Sequence, residues 1–194
     1  DFDGANDYVD CGNDSSLLPS GSFSLSAWIY SRGFSNKGSA YNCILARGNP
    51  FSQGGSYGFA IDSTDTLRFV ANNARALSNI NIKDRLVYAV GVYDSAENKL
   101  KIYIDGILTG ETTCSGLLTD TQTFFIGRDN QSTLRSFNGW VDDVRLCNEG
   151  FDSRMVFQNY QKGNLIASWH FDESSGASLT DDSPNQNNGT LTNM

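Results

Sequence analysis

The sequence predicts an all-β protein: two packed antiparallel layers with one short surface helix. Three observations carry that prediction. Strand-like segments recur at short intervals and are separated by Gly, Asn, Ser and Asp turns. The 194-residue chain is 12% aromatic but only 19% charged, with 19 glycines. Long surface helices are rich in Glu, Lys, Arg and Ala, and aromatics suit sheets better. Finally, a single segment, residues 151–160, has helical spacing, with Met155, Val156 and Tyr160 placed for one apolar stripe.

Taken in order, residues 22–30 alternate strictly. Phe23, Leu25, Ala27 and Ile29 point one way, and Ser22, Ser24, Ser26, Trp28 and Tyr30 the other. Two readings fit the second face, a polar groove or Trp28 packed as core, and core is the expectation. Residues 57–61 and 67–71 form a hairpin through Asp62-Ser63-Thr64-Asp65. Residues 86–93 are almost continuously apolar, as a central strand between two layers should be. Residues 99–105 alternate again, with Leu100, Ile102 and Ile104 on one face. Asp105-Gly106 then supplies a tight turn into residues 107–113. Residues 123–127, 137–147 and 165–171 complete the set. Residues 31–56 read as long, polar, Gly-rich loops with aromatics set in them, where recognition usually lives on a rigid sandwich. Residues 174–193 are rich in Ser, Asp and Asn.

Charge narrows the function. Fourteen Lys and Arg against 22 Asp and Glu leave a formal charge of −8. That balance disfavours nucleic acid and anionic membranes, and suits a hard cation such as Ca²⁺. Membrane insertion is not expected either, because no apolar run approaches the roughly 18–20 residues needed to span a bilayer. The opening Asp1-Phe2-Asp3 reads as the start of an excised module. A single histidine, His170 between Trp169 and Phe171, precludes a multi-histidine metal site and reads as a strand residue. Cys11, Cys43, Cys114 and Cys147 lack zinc-site spacing, which leaves disulfides and buried thiols both open. Asn13, Asn130 and Asn188 each begin a glycosylation acceptor triplet, a pattern that chance readily produces in so Asn- and Ser-rich a chain.

Four segments together resemble the laminin G-like, concanavalin A-like jelly roll. They are Phe2-Asp3-Gly4-Ala5-Asn6-Asp7-Tyr8-Val9; Phe23-Ser24-Leu25-Ser26-Ala27-Trp28-Ile29; Val90-Gly91-Val92-Tyr93-Asp94 with Leu100 to Gly106; and Phe137-Asn138-Gly139-Trp140-Val141-Asp142-Asp143-Val144-Arg145-Leu146. Leu86 stands where the family usually has Trp. The segment around Trp169-His170-Phe171-Asp172 resembles one that usually precedes the Phe-Asp-Gly strand, yet here it comes last. Either it begins the next repeat of an array, or it folds back. The expectation is one domain over residues 1–194, with residues 165–194 folding back to complete the sheets, because an open sheet edge invites aberrant pairing.

The resemblance implies calcium near the first and last strands. Asp3 and Asp142 match carboxylate positions, Gly4 offers a carbonyl, and Asn6 and Asp143 are further candidates. Related sandwiches carry glycoside hydrolases that use a Glu-x-Asp-x-x-Glu strand. None of Glu97, Glu111, Glu149 and Glu173 lies in such a motif, and there is no Gly-x-Ser-x-Gly elbow, so no enzyme is expected. The expectation is a calcium-binding, lectin-like module of a larger secreted or cell-surface protein, with a polysaccharide or glycan as partner. The alternative is an adhesion module that binds another surface protein. For the sugar contact, Tyr41, Phe51, Tyr57 and Phe34 offer platforms, while Arg47, Asn49 and Gln53 offer polar partners.

Overall fold

The computed structural model describes residues 1–35, 38–50, 56–116, 118–130, 133–164, 178–179 and 189–190. Twelve strands run in chain order: β1 (Phe2–Asp3), β2 (Val9–Asp10), β3 (Phe23–Ser31), β4 (Tyr41–Arg47), β5 (Tyr57–Asp62), β6 (Thr66–Ala71), β7 (Ala74–Asn81), β8 (Leu86–Asp94), β9 (Lys99–Ile104), β10 (Ile107–Thr113), β11 (Phe124–Ile126) and β12 (Asn138–Cys147). They form two six-stranded antiparallel sheets, ordered β1-β12-β3-β8-β9-β10 and β2-β11-β4-β5-β6-β7. This is the jelly-roll sandwich that the sequence predicts.

Period-two alternation builds the core. Phe23, Leu25, Ala27 and Ile29 of β3 are fully buried against Phe59, Ile61, Leu67 and Phe69 of the other sheet. The layers approach closely where Phe69 lies on the bare backbone of Gly91. A Cβ there would stand 2.3 Å from the Phe69 ring, so only glycine lets the sheets approach. The Asp105-Gly106 turn has positive φ at both residues, as a two-residue hairpin requires.

Two strands, one central and one at a sheet edge, lie where the sequence reads as loop or goes unassigned. β4 falls inside residues 31–56. Its pattern does not alternate, because a bulge between Cys43 and Leu45 turns both Ile44 and Leu45 into the core. β7 follows Asn72-Asn73, both left-handed, in a tight hairpin turn.

One helix, α1 (Ser153–Asn164), lies on the outer face of the first sheet. Fully buried Val156 packs there with Tyr88, Val90, Val92 and Tyr103, and Trp28, Phe151 and Tyr160 close around them. Trp28 is therefore half-buried beneath the helix, in a satellite core outside the sandwich and not between its layers. In the tail, β13 (Ser178–Leu179) and β14 (Gly189–Thr190) pair with each other and with neither large sheet. The expected strand at residues 165–171, with His170, lies outside the described residues. All four cysteines are free thiols. Among the described residues, no helix is long and apolar enough to cross a membrane.

Candidate functional site

The expected cation ligands do not converge. β1 does pair with β12, but the register sets Asp3 opposite Asn138, while Asp142 lies opposite Trp28. Four residues of strand separate the two carboxylate positions, about 13 Å at roughly 3.3 Å per residue. Local partners also occupy these acids. Asp3 accepts from the Ala5 amide at 2.7 Å and Asp142 from the Asp143 amide at 2.8 Å. Asp143 sits left-handed in a bulge and is ion-paired with Arg145 at 2.8 Å. Gly4 and Asn6 stay in the β1 turn, on the Asp3 side. Among the described residues, no group of three or more His, Cys, Asp or Glu side chains is placed to hold a metal ion. The five residues do not fit a single Ca²⁺ shell, which needs six to eight oxygens at 2.3–2.6 Å.

Of the expected sugar contacts, two belong to the interior. Arg47 ends β4 facing inward and is 1% exposed. Its guanidinium donates to the backbone carbonyls of Asp120 (2.8 Å), Asp14 (3.3 Å) and Asn13 (3.2 Å), clasping two loops together. Tyr57 is fully buried against Phe23 and Phe124, and its hydroxyl donates to the Leu17 carbonyl at 2.6 Å. The sequence reading puts Arg47 in an irregular loop and Tyr57 where that loop meets the next strand. The extension of β4 to Arg47 and the start of β5 at Tyr57 put them in register with each other instead. Phe34 packs against the main core. Phe51 and Gln53 lie outside the described residues.

Tyr41 and Asn49 do come together, through a residue that the sequence reading missed. Arg135 ends a short 3-10 turn (Thr133–Arg135) that leads into a bridge between Ser136 and Cys43 of β4. Its guanidinium lies over the Tyr41 ring, 4.8 Å from the centroid, within cation–π range. The same group donates to the Asn49 side-chain oxygen at 3.4 Å and to Asp129 at 2.5 Å. Asp129 is fully buried, and the Arg135 guanidinium compensates its carboxylate there. Burial pushes the Tyr41 phenol up to about 12, against the pull of Arg135. Tyr41 therefore stays neutral and a hydrogen-bond donor across the physiological range. Burial, followed by the charge of Asp129, also pushes the Cys43 thiol up, so it is no thiolate nucleophile.

These groups border the outer face of the second sheet. There Cys43, Ala60 and Val70 form a small sealed cluster, with Tyr41 packed on it. Arg68 and Asp62 add a second ion pair on neighbouring strands. Burial works to raise the Asp62 carboxyl. Hydrogen bonds from Thr64 and Arg68 outweigh it and hold the group at about 2. Arg75, opposite Val70 in β7, is exposed and lies close enough to Tyr41 to act on its phenol. The face thus combines one aromatic ring, three guanidiniums, two carboxylates and a carboxamide. No motif marks Asp129 or Arg135 in the sequence, and only the fold brings Arg135 onto Tyr41.

A two-sheet sandwich with a polar, aromatic-bearing outer face is the architecture of lectin-type domains. Residues 3–157 match the concanavalin A-like lectin/glucanases superfamily, and the chain belongs to it. No curated protein sequence matches the chain. Among solved structures it resembles a Bacteroides ovatus protein provisionally named as carbohydrate-binding, with a TM-score of 0.61 and 19% identity over 94% of this chain. It resembles the heptameric SAP-like pentraxin of Limulus polyphemus at 0.62 and 15%, covering 98% of this chain and 93% of that one. A third likeness is to domain 4 of AbnA, a GH43 extracellular arabinanase of Geobacillus stearothermophilus, in complex with arabinotriose. There the TM-score is 0.59 and the identity 14%, over 80% of this chain and 73% of that one. The chain spans 55% of the Bacteroides protein, about half its length.

Proposed function

We propose that this chain is a non-catalytic carbohydrate-binding module of a larger extracellular protein, and that it contacts glycan on the outer face of the second sheet. Tyr41, Arg135 and Arg75 form the contact, and fully buried Asn49 backs Arg135 from beneath. One observation carries the reading: buried Asp129 locks the Arg135 guanidinium over the Tyr41 ring before any ligand arrives. Preorganised donors lose little entropy on binding a hydroxyl-rich ligand. The phenol and the exposed Arg75 guanidinium add polar groups beside an aromatic edge, the mixture that sugar rings meet well. The superfamily membership, and the likeness to a domain solved with arabinotriose, support the same ligand class.

The acids of this face suit binding better than hydrolysis. A glycosidase needs one carboxyl with a raised pKa and a second opposite it. Asp62 is held at about 2, and Asp129 is tied to Arg135. Asp62 is therefore not available as a proton donor near neutral pH.

Affinity electrophoresis in native gels containing soluble arabinan, arabinoxylan, glucomannan or laminarin tests the proposal. At least one polysaccharide is expected to retard the protein, and Tyr41→Ala or Arg75→Ala to weaken that retardation about tenfold or more. Mobility unchanged by every polysaccharide would refute the glycan reading. A second surface protein as partner would then become the better account.

A further inference from the structure

Away from that face, the first sheet leaves one row of its outer surface uncovered by α1. The register sets Trp140 of β12 opposite Tyr30 of β3, and Tyr30 opposite Leu86 of β8. Residues directly opposite share a face, so the three side chains form one row across three strands, about 10 Å long at roughly 4.8 Å per strand. The Trp140 and Tyr30 rings stack with centroids 4.6 Å apart and planes 26° from parallel. Trp140 is nevertheless 49% exposed and Leu86 59%. The next row, Asp142–Trp28–Tyr88, already lies against Tyr160 of the helix. The exposed row therefore begins where the helix cover stops.

Polar groups line its other side. Arg32 reaches over the Trp140 ring at 5.4 Å and is held by Asp1 through two hydrogen bonds, of 2.7 and 3.0 Å. It also donates to the Asn138 side-chain oxygen at 3.3 Å. The Asp1–Arg32 pair is neutral, and the chain as a whole carries −8. An anionic ligand gains nothing here. An aromatic row edged by a guanidinium, a carboxamide and a carboxylate matches a neutral sugar chain instead. Its C–H faces cover rings, and its hydroxyls bond to the rim.

We infer that Trp140, Tyr30 and Leu86, with Arg32 and Asn138 at the rim, form a second glycan subsite, apart from the Tyr41–Arg135 face, that binds a neutral polysaccharide. This inference rests on the carbohydrate-binding reading, and its test separates the two. Trp140→Ala, Trp140→Phe and Tyr41→Ala are compared with wild type in native gels containing arabinan, arabinoxylan, glucomannan, laminarin or anionic polygalacturonate. Tryptophan emission is followed in parallel.

The expected result is that a neutral polysaccharide retards wild type with little dependence on salt, since no net charge drives the contact. Trp140→Ala should weaken that retardation about tenfold or more, with Trp140→Phe intermediate. The ligand-induced emission change should disappear in Trp140→Ala. Its melting temperature should stay within a few degrees of wild type, because the side chain is half exposed. Retardation lost in Tyr41→Ala but intact in Trp140→Ala would overturn the second subsite and leave the first reading standing. Retardation of wild type by none of the polysaccharides would overturn both. A wild-type dimer in solution that Trp140→Ala dissociates would mark the row as a protein interface and overturn the inference.

Discussion

The outer faces of the two sheets solve one problem differently. A strand buried inward still presents every second side chain outward, and these must be covered or made compatible with water. On the first sheet the outward residues are large: Trp28, Tyr88, Val90, Val92 and Tyr103. Helix α1 covers them with Val156 and Tyr160. On the second sheet the outward residues are small, Cys43, Ala60 and Val70. Ion-paired arginines and Tyr41 border that buried cluster, and α1 packs elsewhere. The covered face spends its area on stability. The other keeps fixed polar groups at the surface, where they can meet a ligand. The uncovered Trp140 row is where the first strategy ends.

Single substitutions should separate the two strategies. The largest effect is expected at Arg135. Arg135→Ala leaves the buried Asp129 carboxylate without its cation, and stability in urea should fall by about 3–5 kcal/mol. A loss below about 1 kcal/mol would mean that the pair does not organise this face.

Acid should act next, through Asp62 of the second sheet. Asp62 has a folded pKa of about 2, below its ordinary value near 3.9. Its contribution is thus fully present above about pH 5 and is lost as pH falls towards 2. The difference corresponds to about 2 kcal/mol. Asp62→Asn should remove that part of the acid dependence in urea unfolding measured from pH 5 to 2. An unchanged slope would place the stabilisation elsewhere.

On the covered face, Val156→Ala removes fully buried methyl groups and should cost about 1–2 kcal/mol. Polysaccharide retardation should be unaffected, so a binding defect in this variant would tie the helix to the ligand site. The smallest effect is expected from chelation. Asp3 and Asp142 are four residues out of register and locally bonded, so EDTA should leave the melting temperature within about 1 °C. A larger drop that Ca²⁺ restores would require a cation shell built from other oxygens.

Much of the fold is legible in the chain because its strands obey one simple pattern. Phe23 to Ile29 and Leu100 to Ile104 alternate cleanly, and Asp105-Gly106 can hardly be anything but a turn. β4 escapes because a bulge makes Ile44 and Leu45 consecutive core residues, which erases the alternation. That one irregularity carries the site errors with it. With β4 read as loop, Arg47 and Tyr57 look like exposed recognition groups. In the sheet, Arg47 is an inward clasp for carbonyls and Tyr57 a core ring. Asn72-Asn73 was a usable hairpin signal for β7, since both residues tolerate left-handed backbone.

The site itself is legible only in part. Tyr41 and Asn49 can be picked out as an aromatic and an amide in a polar stretch. Their partner Arg135 lies 86 residues from Asn49, and nothing local links them. Asp3 and Asp142 show the converse. Pairing of the end strands is correct, but register decides whether two acids meet, and β1 pairs at Asn138 and Gly139, short of Asp142. Trp140 sits in a segment that carries the family resemblance, yet its exposure follows from where α1 ends.

The most direct test is a ¹H–¹⁵N NMR titration of the whole chain with a soluble oligosaccharide from whichever polysaccharide retards it. The account predicts that the Tyr41 amide, the Arg135 Nε–H and the Asn49 side-chain amide shift together and saturate with one dissociation constant. A saturating titration that moves none of these three signals would contradict it.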